Sequence, residues 1–141
     1  GIFTQITDQP AGDSRGPSIN ADGTRIAFRS DANLGGGNPE GNFEIFLFDT
    51  TTGIFTQITH EPAGFESRGA SINADGTRIA FRSDANLSGG NPDGNQEIYL
   101  ATCFDLDDRV IPTLSEWGLI AMAGVLGIIG LLAIRRRKVT A

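Results

Sequence analysis

The chain is built on an internal repeat. Gly1-Ile2-Phe3-Thr4-Gln5-Ile6-Thr7 recurs letter for letter as Gly53 to Thr59, and the segment from Ser18 to Leu34 recurs as Ser71 to Leu87. The offset is 52 residues at first and 53 beyond Ser67, because the second copy carries one extra residue between Gly64 and Ser67. A duplicated unit of this size points to a solenoid or a propeller, in which each copy must bury a face that it cannot cover alone. Near-identity gives the two copies the same structural task.

Within each copy, short strand signals alternate with turn residues. Pro17 to Asn20 predicts a first strand, and Asp22-Gly23 favours the left-handed conformations of a two-residue hairpin. Thr24 to Ser30 follows, with Ile26 and Phe28 on one face and Ala27 on the other. A third strand, Glu44 to Asp49, puts Ile45 and Leu47 on one face and Phe46 and Phe48 on the opposite one, so this sheet expects cover on both sides. Ile54 to Thr59 alternates large apolar residues with threonine and glutamine, as an outer strand would. Four antiparallel strands per unit, with a small alanine where neighbouring sheets approach, describe a propeller blade. The expected fold is therefore all-β: two antiparallel four-stranded propeller-type blades over about 1–52 and 53–104, plus one C-terminal transmembrane α-helix. The chain opens on an outermost strand, stops after three strands of the next blade, and shows no initiator Met or signal peptide. The expectation is a partial propeller at the C-terminal end of a longer exported precursor. Closure of a ring by identical chains is the alternative.

The order S-I-N-A-D-G-T-R-I-A-F-R-S-D, then G-N-x-E-I-F/Y-L, then F-T-Q-I-T resembles the TolB-like (WD40-like) β-propeller repeat. The consensus of that repeat runs through a Ser-Pro-Asp-Gly turn, an Ile-Ala-Phe strand and an Ile-Tyr strand. Asn-Ala-Asp-Gly stands at the turn in both copies here, with the turn-forming Asp-Gly kept.

After a short acidic linker, 105–110, the character of the chain changes. Residues 117–134 contain no charge, and at about 1.5 Å of rise per residue they would span roughly 27 Å, close to a bilayer's hydrocarbon thickness. Arg135, Arg136, Arg137 and Lys138 follow and would stay cytoplasmic, placing the preceding chain outside the cytoplasm. Trp117 suits the interface between lipid and water. A buried helix of a globular core is the competing reading, and an arginine cluster at its end fits that poorly.

Ile111 to Gly118 reads I-P-T-L-S-E-W-G, and with the apolar helix and basic end it closely resembles the IPTL-CTERM sorting signal over 111–138. This signal is a relative of the PEP-CTERM signals of Gram-negative bacteria. The resemblance implies an exosortase partner that recognises Ile111, Pro112, Thr113, Leu114, Trp117 and Gly118 and removes the helix. It also implies a passage from the inner membrane to the cell surface or the exterior. Pro112 biases Ile111 toward an extended conformation, which suits a processing enzyme's substrate strand. A permanent membrane anchor is the alternative.

Charge narrows the partners. The tail holds four of the eleven Lys and Arg residues, while all seventeen Asp and Glu lie before Trp117, so nucleic acid is not an expected partner. Cys103 stands alone, which excludes an intramolecular disulfide; burial at the end of the third strand is the expected fate, with lipid modification and pairing between chains as the alternatives. The loops after the second strand of each copy alternate oxygen-bearing side chains with glycine, as Ca²⁺ requires. Asp31, Asn33, Asn38 and Glu40, with Asp84, Asn86, Asn91 and Asp93, would be the ligands. The same residues also make ordinary turns, and neither loop fits the twelve-residue helix-flanked pattern.

No catalytic constellation is expected. His60 is the only histidine, and its counterpart in the first copy is Asp8. Arg15 and Arg68, Arg25 and Arg78, and Arg29 and Arg82 recur beside acidic residues and read as blade-to-blade ion pairs or solvated stems, with ligand contact as the alternative. Three functions stay open: an exported module binding protein or polysaccharide, a permanently anchored periplasmic scaffold, and an accessory propeller to a hydrolase encoded upstream.

Overall fold

The computed structural model describes residues 1–103, and these form two antiparallel sheets. The first contains β1 (Ser14–Ile19), β2 (Arg25–Ser30), β3 (Glu44–Asp49) and β4 (Phe55–Gln57) in sequential order. The second contains β5 (Ser67–Ile72), β6 (Arg78–Ser83) and β7 (Glu97–Thr102). A single 3-10 turn, Leu34–Gly36, interrupts the long β2–β3 connection. The predicted helix at 117–134 and the linker at 105–110 lie outside the described residues. Among the described residues no helix is long and apolar enough to cross a membrane.

Strand alternation sorts the side chains as the sequence predicts. Ile26↔Phe48 and Phe28↔Phe46 are opposed across β2 and β3, as are Ala27 and Leu47. Ile26, Phe28, Phe46 and Phe48 join Ala32, Leu34 and Phe55 in one cluster. On the other face Ala27, Ile45 and Leu47 pack against Ala70, Ile72, Ile79 and Phe81 of the second sheet. Ala27 and Ile45 are fully excluded from solvent, and a fully buried isoleucine contributes about 1.5–3 kcal/mol. The two sheets thus pack face to face, with the small Ala27 buried in the layer between them.

The two sheets have four and three strands, so the second is the incomplete blade that the strand count along the chain predicts, one strand short of the four-stranded unit. Two expectations need correction. Gly1–Thr7, identical to the segment that supplies β4, forms no strand; Ile2 and Phe3 are almost wholly exposed. Finally, the Asp-Gly turn is not a two-residue hairpin. Asn20 N–H donates to the Arg25 carbonyl at 3.0 Å, leaving a four-residue loop in which Gly23 alone has a positive φ, of 78°. Asp22 serves instead as an acceptor, taking the Thr24 N–H at 2.9 Å and the Thr24 hydroxyl at 2.6 Å. The second copy repeats this turn with Asp75 and Thr77.

The identical turns also touch. Ala21 N–H donates to the Ala74 carbonyl at 3.0 Å, and Arg25 Nη1 donates to the Gly76 carbonyl at 3.0 Å. These bonds fix the relation of the two sheets at one end of the stack.

Candidate functional site

At the opposite ends of β2 and β6 the chain collects its buried polar groups. Glu44 opens β3 and is buried. Its Oε1 accepts from Asn42 Nδ2 at 2.9 Å and from the Glu61 N–H at 2.7 Å, and its Oε2 accepts from the Thr59 hydroxyl. Glu61, also buried, bridges the start of β5 and the end of β6: its Oε1 accepts from Ser83 Oγ at 2.7 Å and from Ser67 Oγ. The second carboxylate oxygen of Glu61 is enclosed without a partner. Burial pushes the Glu61 carboxyl above the ordinary range, the serine hydrogen bonds oppose that, and the charges of Glu44 and Asp84 reinforce it. A cleft of about 420 Å³ beside them is lined by Glu40, Glu44, His60 and Glu61 among others.

A cationic group lies close by. Arg15 is opposed to Arg29 across β1 and β2, and Arg68 to Arg82 across β5 and β6. Arg15 pairs with Asp13 and Arg68 with Glu66, so these two are neutralised within their own sheet. Arg29 has no carboxylate partner among the described residues. Its guanidinium carbon lies 4.8 Å from the centre of the Phe43 ring, which Arg15 also approaches at 5.7 Å. Burial, and then the positive charges of Arg68, Arg15 and Arg82, lower the Arg29 pKa. Like charges opposed across strands are unfavourable, and an anion set among them would relieve that repulsion.

Of the arginines read from sequence as blade-to-blade partners, Arg25 reaches the neighbouring sheet, through the Gly76 carbonyl. Arg15 and Arg68 instead find their carboxylates two residues earlier, just ahead of their own strands. His60 is exposed at the rim of the cleft, and Cys103 is half-buried, packing against the cluster between the sheets, with burial raising its pKa.

The loop oxygens considered for calcium hold the loops together. Asn33 Oδ1 accepts the Asn38 N–H and Asn86 Oδ1 accepts the Asn91 N–H, both at 2.8 Å. Asp84 Oδ1 accepts the Glu66 N–H at 2.8 Å, and Asp31 Oδ1 takes the equivalent bond from Asp13. Asn38 and Asn91 are buried and bond the carbonyls of Asn42 and Asn95, while Glu40 and Asp93 are exposed. Among the described residues no group of three or more His, Cys, Asp and Glu side chains converges on a point that could hold a metal ion.

Glu44, Glu61 and Phe43 did not stand out in the sequence. Glu44 has an identical counterpart in Glu97, a signal that was available, whereas Glu61 is matched by Gln9 and Phe43 by Gln96.

The residues with sorting character lie beyond the described sheets, and there the comparison with a known family is decisive. Residues 111–137 carry an IPTL-CTERM motif. All six proposed recognition residues fall inside the match, as do Arg135, Arg136 and Arg137 of the basic end. Two solved structures resemble the chain. The crystal structure of TolB from Acinetobacter baumannii is 27% identical, with a TM-score of 0.48 over 69% of this chain and 20% of that one. The structure of a putative TolB from Agrobacterium tumefaciens is 20% identical, with a TM-score of 0.47 over 69% of this chain and 28% of that one. The chain therefore spans less than a third of the length of either. No curated protein sequence matches it.

Proposed function

We propose that the chain is an exported β-propeller module that an exosortase-type enzyme sorts and trims through its C-terminal signal. The IPTL-CTERM motif at 111–137 is the observation that carries this reading. Residues 117–134 would hold the protein in the inner membrane, Arg135 to Lys138 would remain cytoplasmic, and the sheets would face the exterior until Ile111 to Gly118 is engaged. Cell fractionation tests it. The full chain should reach the surface or medium, and a variant ending at residue 110 should not follow the same route. Identical distributions for the two would contradict the reading.

The module acts by binding. Arg29, stacked on Phe43 amid Arg15, Arg68 and Arg82, suits a carboxylated partner such as an acidic polysaccharide or an acidic protein segment. Polygalacturonate is a direct probe. Binding should weaken with added salt and fall sharply in Arg29→Ala, and equal binding by Arg29→Ala would remove the arginines from the role.

A further inference from the structure

Three carboxylates line the cleft beside β3, those of Glu40, Glu44 and Glu61, and no lysine or arginine among the described residues does. Every lining residue falls between the end of β2 and the start of β5, so the walls come from the four-stranded sheet and its link to the second. At about 420 Å³ the cleft is large enough for a small organic group. Pro39 and Pro62, both exposed, give it apolar surface as well.

What the cleft lacks is a donor. Glu61, 4% exposed, and Gln57 each hold an enclosed oxygen, Oε2 and Oε1, that accepts nothing. Both side chains are fixed from their other atoms: Glu61 Oε1 accepts from Ser67 and Ser83, and Gln57 Nε2 donates to the Thr59 carbonyl at 2.8 Å. A carbonyl can only accept, so the Gln57 amide cannot reverse and keep that bond. Native structures rarely leave enclosed oxygens without a partner, and each such group calls for an occupant. A metal ion does not fit. Both Glu44 oxygens are taken by Asn42, Thr59 and the Glu61 N–H, and among the described residues no three His, Cys, Asp or Glu side chains converge on one point.

We infer that this cleft receives a lysine side chain from a protein partner, with the ammonium supplying the donors that Glu61 Oε2 and Gln57 Oε1 lack. The charge is complementary: the exposed carboxylate of Glu40 stands at the cleft to attract a cation, and no cation of the sheets lines it. Lysine fits better than arginine, because neither buried carboxylate offers two free oxygens to a guanidinium fork, whereas the three rotatable donors of an ammonium suit single oxygens on separate residues. Its four-carbon stem lies against Pro39 and Pro62, as lysine stems cover apolar surface while the charged head finds its partners. The chain's single lysine, Lys138, stands in the basic end, so the side chain that fills the cleft comes from another protein. The site is separate from the arginine group around Phe43 and takes a ligand of opposite sign.

The test titrates the full chain in detergent micelles, at pH near neutrality, with the peptide acetyl-Gly-Lys-Gly-amide, and reads Kd from the NMR shift of the His60 N–H at the rim. The same peptide acetylated on the lysine Nζ keeps the stem and loses the charge, and should bind at least about tenfold more weakly. Glu61→Gln, which keeps an acceptor for Ser67 and Ser83, should weaken the lysine peptide by a similar factor. Glu40→Gln changes an exposed side chain outside the buried network and should weaken it about threefold, so the test survives if Glu61→Gln fails to fold. No binding of the lysine peptide, as a cleft filled by water would give, overturns the inference. So do equal affinities for the two peptides, or wild-type affinity in both variants. Glucosamine, titrated alongside, carries an ammonium without the stem; affinity equal to that of the lysine peptide would assign the cleft to an amino sugar and overturn the protein partner.

Discussion

Glu61 accepts a hydrogen bond from Ser83 at 2.7 Å across twenty-two positions of sequence, and the same oxygen accepts from Ser67, so one carboxylate ties the segment before β5 to both β5 and β6. The other oxygen is buried without a partner. An enclosed carboxyl in this state titrates above 4.5, and its proton is held more tightly by the folded chain than by the unfolded one. Its effect on stability is therefore most favourable at acid pH and declines as pH rises from about 4.5 through the folded value. Glu61→Gln, the residue that the first copy carries as Gln9, should flatten this decline while keeping an acceptor for both serines. Glu61→Ala, which strips both serines of their acceptor, should lower stability by about 1–3 kcal/mol at pH 5. Denaturant melts of the three proteins between pH 4.5 and 8 decide the matter; parallel curves for wild type and Glu61→Gln would refute it.

Asp49 has the opposite sign. Hydrogen bonds from the Thr51 hydroxyl at 2.5 Å and the Thr52 N–H at 2.9 Å hold its carboxyl at a pKa of about 2. The stability it confers is complete above 3.8 and is lost as pH falls through about 2. Carbon-13 NMR of the side-chain carboxyl should show Asp49 still ionised at pH 3, and Asp49→Asn should lose less stability than wild type between pH 4 and pH 2. A midpoint near 3.8 for Asp49 would show that the threonines do not hold it.

The paired turns offer a controlled comparison. Gly23 and Gly76 have φ values of 78° and 76° in identical turns. A Cβ on Gly23 would meet nothing closer than 3.9 Å, whereas one on Gly76 would lie 2.7 Å from Arg25 Cδ and 2.9 Å from Asn20 Nδ2. Gly23→Ala should cost about 1–2 kcal/mol from backbone conformation alone. Gly76→Ala should cost more, because the contact between the two sheets must also give. Equal losses in thermal melts would mean that the turn-to-turn contact carries no energy.

Calcium should bring little. The oxygens of Asp31, Asn33, Asp84 and Asn86 already accept backbone N–H groups that shape their loops. Titration calorimetry of the full chain with Ca²⁺ should give no heat beyond dilution and no rise in Tm. A saturable signal that disappears in Asp31→Asn with Asp84→Asn would restore the loops as metal sites.

The sheet faces were legible because period-two alternation fixes them: Ala27, Ile45 and Leu47 are separated from Phe28 and Phe46 by position alone. The fate of the opening segment was not, since Gly1–Thr7 and Ile54–Thr59 have the same strand signal and only the second finds a neighbour to pair with among the described residues. Turn geometry was misread for a related reason. Asp-Gly suits a tight hairpin, but Asn20 and Thr24 give Asp22 better local partners and widen the loop. Glu61 was hidden because its role depends on Ser67 and Ser83, brought together only when β5 and β6 pair. The arginines were visible as a pattern, yet only the cross-strand register shows that Arg29 is crowded by cations and stacked on Phe43.

The intact mass of the mature protein from its own cell envelope and medium tests the central claim most directly. The account predicts a C-terminus at or near Ile111, with the residues from Trp117 to Lys138 missing from the exported form. An intact Arg137-Lys138 end on all of the protein, held in the membrane fraction, would contradict it.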